Sequence, residues 1–178
     1  MIKQRFADTV KPTTYENVLG ADEIIVSKTD LKGHITYAND VFLRIAQLSE
    51  KEAIGSPHCL VRHPDMPRGI FKLLWDTLTD KREIFAYVKN MAKNGNYYWV
   101  FAHVTPSMDS SGTVISYHSS RRKPTTKQIE KISPLYATLL DIERKCSNPK
   151  EAANASLAAL RNKLKQEGCS YDEYVFTI

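Results

Sequence analysis

Asp30-Leu31-Lys32-Gly33-His34-Ile35-Thr36-Tyr37-Ala38-Asn39-Asp40 decides the reading of this chain. Residues 29–33 are turn chemistry, with Gly33 free to take a positive φ. Residues 23–27 before the turn and 34–38 after it are short β-rich runs, so the three pieces predict a β-hairpin. Asn39 or Asp40 then caps a helix whose apolar side is Val41, Phe42 and Ile45.

Working outward, Ser49-Glu50-Lys51-Glu52 has the form of a capped helical turn stopped by Gly55. A polar loop follows over 56–67. Within it Val61-Arg62-His63-Pro64-Asp65-Met66-Pro67 sets a guanidinium, an imidazole and a carboxylate close together, with two prolines to stiffen it. Pro67 suits a first helical position. Ile70, Phe71, Leu74, Trp75 and Leu78 then fall on one broad helical face. Strands are predicted over 84–92, 97–106 and 113–120. Asn94-Gly95 suits a type I′ hairpin between the first two.

Strand, strand, three short helices and three strands predict an α+β fold. Its core is a five-stranded antiparallel sheet with helices packed on one face. Alternation divides the 97–104 strand. Tyr98, Val100, Ala102 and Val104 share one face; Tyr97, Trp99, Phe101 and His103 share the other. So aromatic an outer face needs a cover: the chain's own terminal helices, a second subunit or a receptor.

The chain divides into an N-terminal extension over 1–20, a body over 21–123 and a helical segment over 124–178. The extension carries one short helix near 15–19. Thr125-Thr126-Lys127-Gln128 fits a capping box, and Ser133-Pro134 predicts a kink or restart in the helix after it. Asn148-Pro149 starts another helix that ends near Gly168. In it Ala153, Leu157, Leu160 and Leu164 form a seam that either packs on the chain's own body or meets a partner.

Composition excludes several classes. The net charge is +5 over 178 residues, and the basic residues are scattered except at Arg121-Arg122-Lys123. That triplet reads as a solvated strand end, and no nucleic-acid module is recognised. No apolar run approaches the roughly 18 residues of a membrane span, and the N-terminus lacks a signal-peptide h-region. Cys59, Cys146 and Cys169 have no metal-ligand spacing. The expectation is a cytoplasmic chain that does not insert into a membrane. With no nucleophile elbow, metal set or phosphate loop it is expected not to be an enzyme.

The residues 30–40, Lys93-Asn94-Gly95-Asn96-Tyr97-Tyr98-Trp99-Val100 and the order of elements resemble a PAS domain. His58-Cys59-Leu60-Val61-Arg62-His63-Pro64-Asp65-Met66-Pro67 narrows the resemblance to the PAS domain of bacterial aerotaxis receptors, including short soluble forms. It covers about residues 20–140. That family binds FAD non-covalently and reports its redox state to a chemoreceptor signalling protein. The resemblance implies that Arg62, His63 and Asp65 grip the cofactor and that Asn90 meets the flavin's polar edge. Asn39, Trp75, Tyr98, Val100 and Ala102 join them as cofactor contacts. It also implies a homodimer signalling to a membrane-bound or soluble receptor. A haem or small-ligand sensor, with His58, His63, His103 and His118 as available imidazoles, and a cofactor-free dimerisation scaffold are the alternatives.

Two departures qualify the match. The family's Gly-x-Pro-Trp-x-Gly string is here Lys81-Arg82-Glu83-Ile84-Phe85-Ala86, so Ile84 stands at the aromatic position. Phe85 could compensate only if its strand bulged. His58 occupies the position of the reactive cysteine of light-sensing PAS domains, so no cysteinyl adduct is expected. Cys59, one residue on, is expected to be a packed thiol.

Overall fold

The computed structural model describes residues 4–178; the first three residues of the 1–20 extension lie outside them. The hairpin is β1 (Ile25–Thr29) and β2 (Ile35–Ala38). Three helices follow: α1 (Asp40–Ala46), α2 (Glu50–Ala53) and α3 (Arg68–Thr79). Then come β3 (Ile84–Met91), β4 (Tyr97–Met108) and β5 (Val114–Arg122). The strands form one antiparallel sheet in the order β2-β1-β5-β4-β3.

The local devices are those the residues dictate. Asn39 caps α1, its Oδ1 accepting from Phe42 N at 3.0 Å. Ser49 and Glu52 close a capping box on α2. Pro67 is the N-cap of α3 rather than its first residue, and a proline side chain offers that helix no acceptor. The β3–β4 turn is not type I′. Only Gly95 has a positive φ there, with its N–H on Ala92 O at 2.9 Å. Ala92 N also bonds Asn96 O at 2.7 Å, so three residues, 93–95, lie inside that closing pair where a two-residue turn was expected.

The N-terminal extension is not helical at 15–19. It runs extended along the β3–β4 turn, with Thr13 N on Gly95 O (2.9 Å) and Asn17 N on Tyr97 O (2.8 Å). Backbone pairing with an open sheet end satisfies more groups than one isolated helical turn would. A side chain on Gly95 would meet Lys11 O, so the glycine permits this approach.

The C-terminal segment forms α4 (Thr126–Glu143), α5 (Pro149–Glu167) and a short α6 (Tyr171–Thr177) that periodicity did not announce. Helix α4 runs unbroken through Pro134, where Ser133 Oγ donates to Ile129 O at 2.6 Å. The helices before β3 cover one face of the sheet, and α4 and α6 cover the other. Tyr136 stacks on Trp99 at 6.3 Å, and Phe176 meets Phe85 at 4.7 Å and Phe101 at 6.1 Å. Tyr136 Oη donates to Tyr87 O at 2.6 Å.

Helix α5 packs on α3 and α4. Leu157, Leu160 and Leu164 are buried within the chain, joined by Ala152 rather than Ala153. The seam is therefore spent internally, and a second copy or a receptor would need another surface. At the α3–α5 crossing a Cβ on Gly69 would lie 2.7 Å from Leu157 N. Glu143 Oε1 accepts from Gly69 N (3.1 Å) and Ser156 Oγ (2.6 Å). A carboxylate from the end of α4 thus serves the N-terminus of α3 that Pro67 leaves open. Among the described residues no helix is long and apolar enough to cross a membrane.

Candidate functional site

A cavity of about 130 Å³, partly open to solvent, lies between the inner face of the sheet and α3. Val88, Val100, Ala102 and Val104 form its sheet wall; Phe71, Leu74, Trp75 and Leu78 form its helix wall. The small residues of β4 keep the two walls apart. At one end Trp75 is 40% exposed, packs edge-on against Tyr117 (5.4 Å) and leans over Gly33.

The opposite chemistry comes from β1, β5 and the loop before α3. Arg121 is only 4% exposed, yet among the described residues no carboxylate meets it. Its Nη2 donates to Ser27 Oγ and, at 2.8 Å, to His58 Nε2. Ser119, on the same face of β5, is buried with its Oγ unpartnered among the described residues. Burial draws the Arg121 pKa down to about 10. Burial, then the Arg121 charge, holds His58 down to about 3, so this imidazole is neutral. Since Arg121 donates into Nε2, the His58 proton is assigned to Nδ1.

Arg62 is the second cationic residue of the lining. Its guanidinium lies 4.2 Å above the Phe71 ring and donates to Met66 O at 3.1 Å. Burial, with Arg68 next, lowers its pKa to about 10. The side chains lining the cavity include two arginines and no Asp or Glu. Cys59, placed at the rim, is exposed and not packed as expected.

Of the nine residues singled out from the sequence, Arg62, Trp75, Asn90, Val100 and Ala102 line this cavity. His63 and Asp65 do not. Arg62 forms a backbone bridge with Asn90, so the next side chain points to the other side. There His63 Nδ1 accepts from Asp65 N (3.1 Å), and Asp65 Oδ2 takes Lys89 Nζ (2.7 Å), beside Tyr97 and Trp99. Burial would raise the Asp65 pKa, but Lys89 outweighs it and the net shift is downward. Asn39 is spent as the α1 cap. It also accepts from Val26 N of β1 (3.0 Å) and donates to Ile24 O just before that strand (2.8 Å). Tyr98 shares the inner face but is packed in the core outside the cavity lining.

Arg121 was missed because it sits in a basic triplet read as solvated. Strand alternation could have found it: Ser119 and Arg121 face inward while Arg122 is exposed. Arg121 pairs with Ala102 and Ser119 with Val104 across the β4–β5 ladder. Of the other imidazoles, His118 lines the cavity, whereas His103 stacks on Phe85 at 4.2 Å on the outer face. Ile84 is buried, and Phe85 stays outward because β3 pairs with β4 without a bulge. Phe85 therefore does not replace the missing aromatic.

The lining can accept a flat apolar ring with one polar edge and a negatively charged tail. A family model for the PAS fold matches residues 35–121. The aerotaxis receptor of Escherichia coli is 39% identical over 127 residues, 71% of this chain and 25% of that protein. A nitrogen fixation regulatory protein of Klebsiella pneumoniae is 26% identical over 62% of this chain and 22% of its own length. The chain thus spans about a quarter of these relatives. The light-state structure of the blue-light photoreceptor Aureochrome1 LOV superposes with a TM-score of 0.54 at 21% identity, over 66% of this chain and 91% of that one. A PAS domain from Colwellia psychrerythraea gives 0.53 at 19%, over 57% and 86%. At those identities the likeness is one of fold.

Proposed function

The chain carries a PAS domain similar to that of the aerotaxis receptor, and on that premise we propose that it is a sensory module that binds FAD and reports redox or oxygen state to a chemoreceptor signalling partner. The observation that supports this reading is the lining: an apolar slot closed by Asn90, Ser119 and Arg121, with Arg62 near the exposed rim and no carboxylate. Bound FAD supplies reversible electron acceptance. The chain's own residues do the rest. Val100, Ala102, Val104, Leu74 and Leu78 exclude water from a flat ring. Asn90 and the Ser119 hydroxyl offer hydrogen bonds to its polar edge. Arg62 offers a planar fork to a pyrophosphate.

Helix α3 links the cavity to the C-terminal segment. One side of it lines the slot, and Gly69 on it is clasped by Glu143 and α5. A ligand that shifts α3 biases the seat of α5, and this two-sided contact is the route proposed toward the partner.

An absorption spectrum of freshly purified protein tests the assignment. Oxidised flavin bands that bleach reversibly with a reductant are expected. A colourless protein that cannot be reconstituted with FAD overturns it.

A further inference from the structure

We infer that His58 and Arg121 form a proton-binding site answering to charge in the cavity: negative charge placed beside Arg121 draws its guanidinium off His58 Nε2, and that nitrogen then takes a proton from solvent. The inference rests on the cavity being the ligand site.

Arg121 is a buried cation whose acceptors among the described residues are both neutral, Ser27 Oγ and His58 Nε2. Two neutral hydrogen bonds compensate a desolvated charge poorly. An anionic atom within reach would be a stronger partner for Nη2 than an imidazole nitrogen. The surroundings of His58 make the consequence specific. From β5 it faces Arg121, and His118 of the same strand lines the same space. From β1 it faces the uncharged Ser27 at 3.2 Å, and from α1 the Phe42 ring at 5.8 Å. Its own loop adds Cys59 and Arg62, while α3 presents only apolar and aromatic side chains to the cavity. On β4 the buried Tyr98 phenol lies within reach of the Arg121 charge.

No carboxylate in the lining can therefore stabilise an imidazolium, and Arg121 opposes one. Negative charge on a ligand reverses both effects. It neutralises the field of Arg121 and frees the nitrogen that Arg121 had occupied. The balance is simple: one solvent proton joins the His58 lone pair, Nδ1 keeps its own proton, and a neutral ring becomes a cation. Electrons come from an external donor that reduces the bound flavin, whose reduced ring carries the negative charge.

The test uses the full chain loaded with FAD and labelled with ¹⁵N-histidine. Imidazole ¹⁵N shifts are recorded near pH 7 before and after reduction by dithionite. A neutral His58 in the oxidised protein and a doubly protonated one in the reduced protein are expected, assigned by through-bond correlation so that no variant is needed. As a second measurement, the midpoint potential of the two-electron couple should fall more steeply with pH than in His58→Gln. One extra proton per two electrons adds about 30 mV per pH unit. Flavin-loaded protein whose His58 stays neutral in both states overturns this inference and leaves the cofactor assignment standing. Protein that retains no flavin overturns both.

Discussion

On the inner face of β4, Val100, Ala102 and Val104 leave an open slot; on its outer face Trp99 and Phe101 are roofed by Tyr136 and Phe176. One period-two alternation built both faces, but only the outer one fills its own space. There the large rings gain their burial from the chain itself. The inner face stays unfilled because its side chains are short, and it keeps a buried guanidinium without a counter-charge.

Four substitutions and a pH series can break or sharpen that contrast. Leu160→Ala, in the buried seam of α5, should cost about 2–5 kcal/mol in urea unfolding. A cost near zero would show that α5 is not part of the core. Gly69→Ala should cost about 1–3 kcal/mol, because its Cβ forces α3 away from the α5 backbone.

The pH series probes His58 and His63, the two histidines that burial lowers furthest; burial lowers His118 as well. Burial lowers His58 to about 3 and His63 to about 4, against an ordinary value near 6.5. Both bind protons better unfolded than folded. Their contribution is whole above about pH 6.5 and drains away as the pH falls, through about 4 for His63 and about 3 for His58. Thermal midpoints should follow that window, and His63→Gln should flatten it.

The smallest effect is expected at Asp65, whose side chain is 57% exposed in its pair with Lys89. Asp65→Asn should cost less than about 1 kcal/mol and leave flavin retention on a desalting column unchanged. Loss of the cofactor there would return Asp65 to the binding site.

The sheet, its strand order of appearance, the α1 cap and the long α3 were legible because each rests on a local signal. Gly33, Asn39, the 3.6-residue periodicity of Ile70, Leu74 and Leu78, and the alternation in β4 speak for themselves. The helix expected at 15–19 failed because pairing with the β3–β4 turn wins over a weak local preference. The C-terminal seam was visible, but its neighbour was not. Helix α5 can approach α3 as closely as it does because Gly69, far away in the chain, leaves room for it.

The site divides in the same way. By itself the sequence determined that a stiff polar loop precedes α3, that Arg62 and Asn90 are candidates, and that β4 has a smooth face. It could not tell on which side of the sheet edge His63 and Asp65 would fall, since a single backbone bridge at Arg62–Asn90 sends them outward. Nor could it separate Arg121 from the solvated Arg122 beside it. Only the β1–β5–β4 ladder did that, by setting one guanidinium among Ser27, His58 and Ala102 and leaving the next in water. Local chemistry chooses elements; which charge loses its water is decided by what the fold brings opposite it.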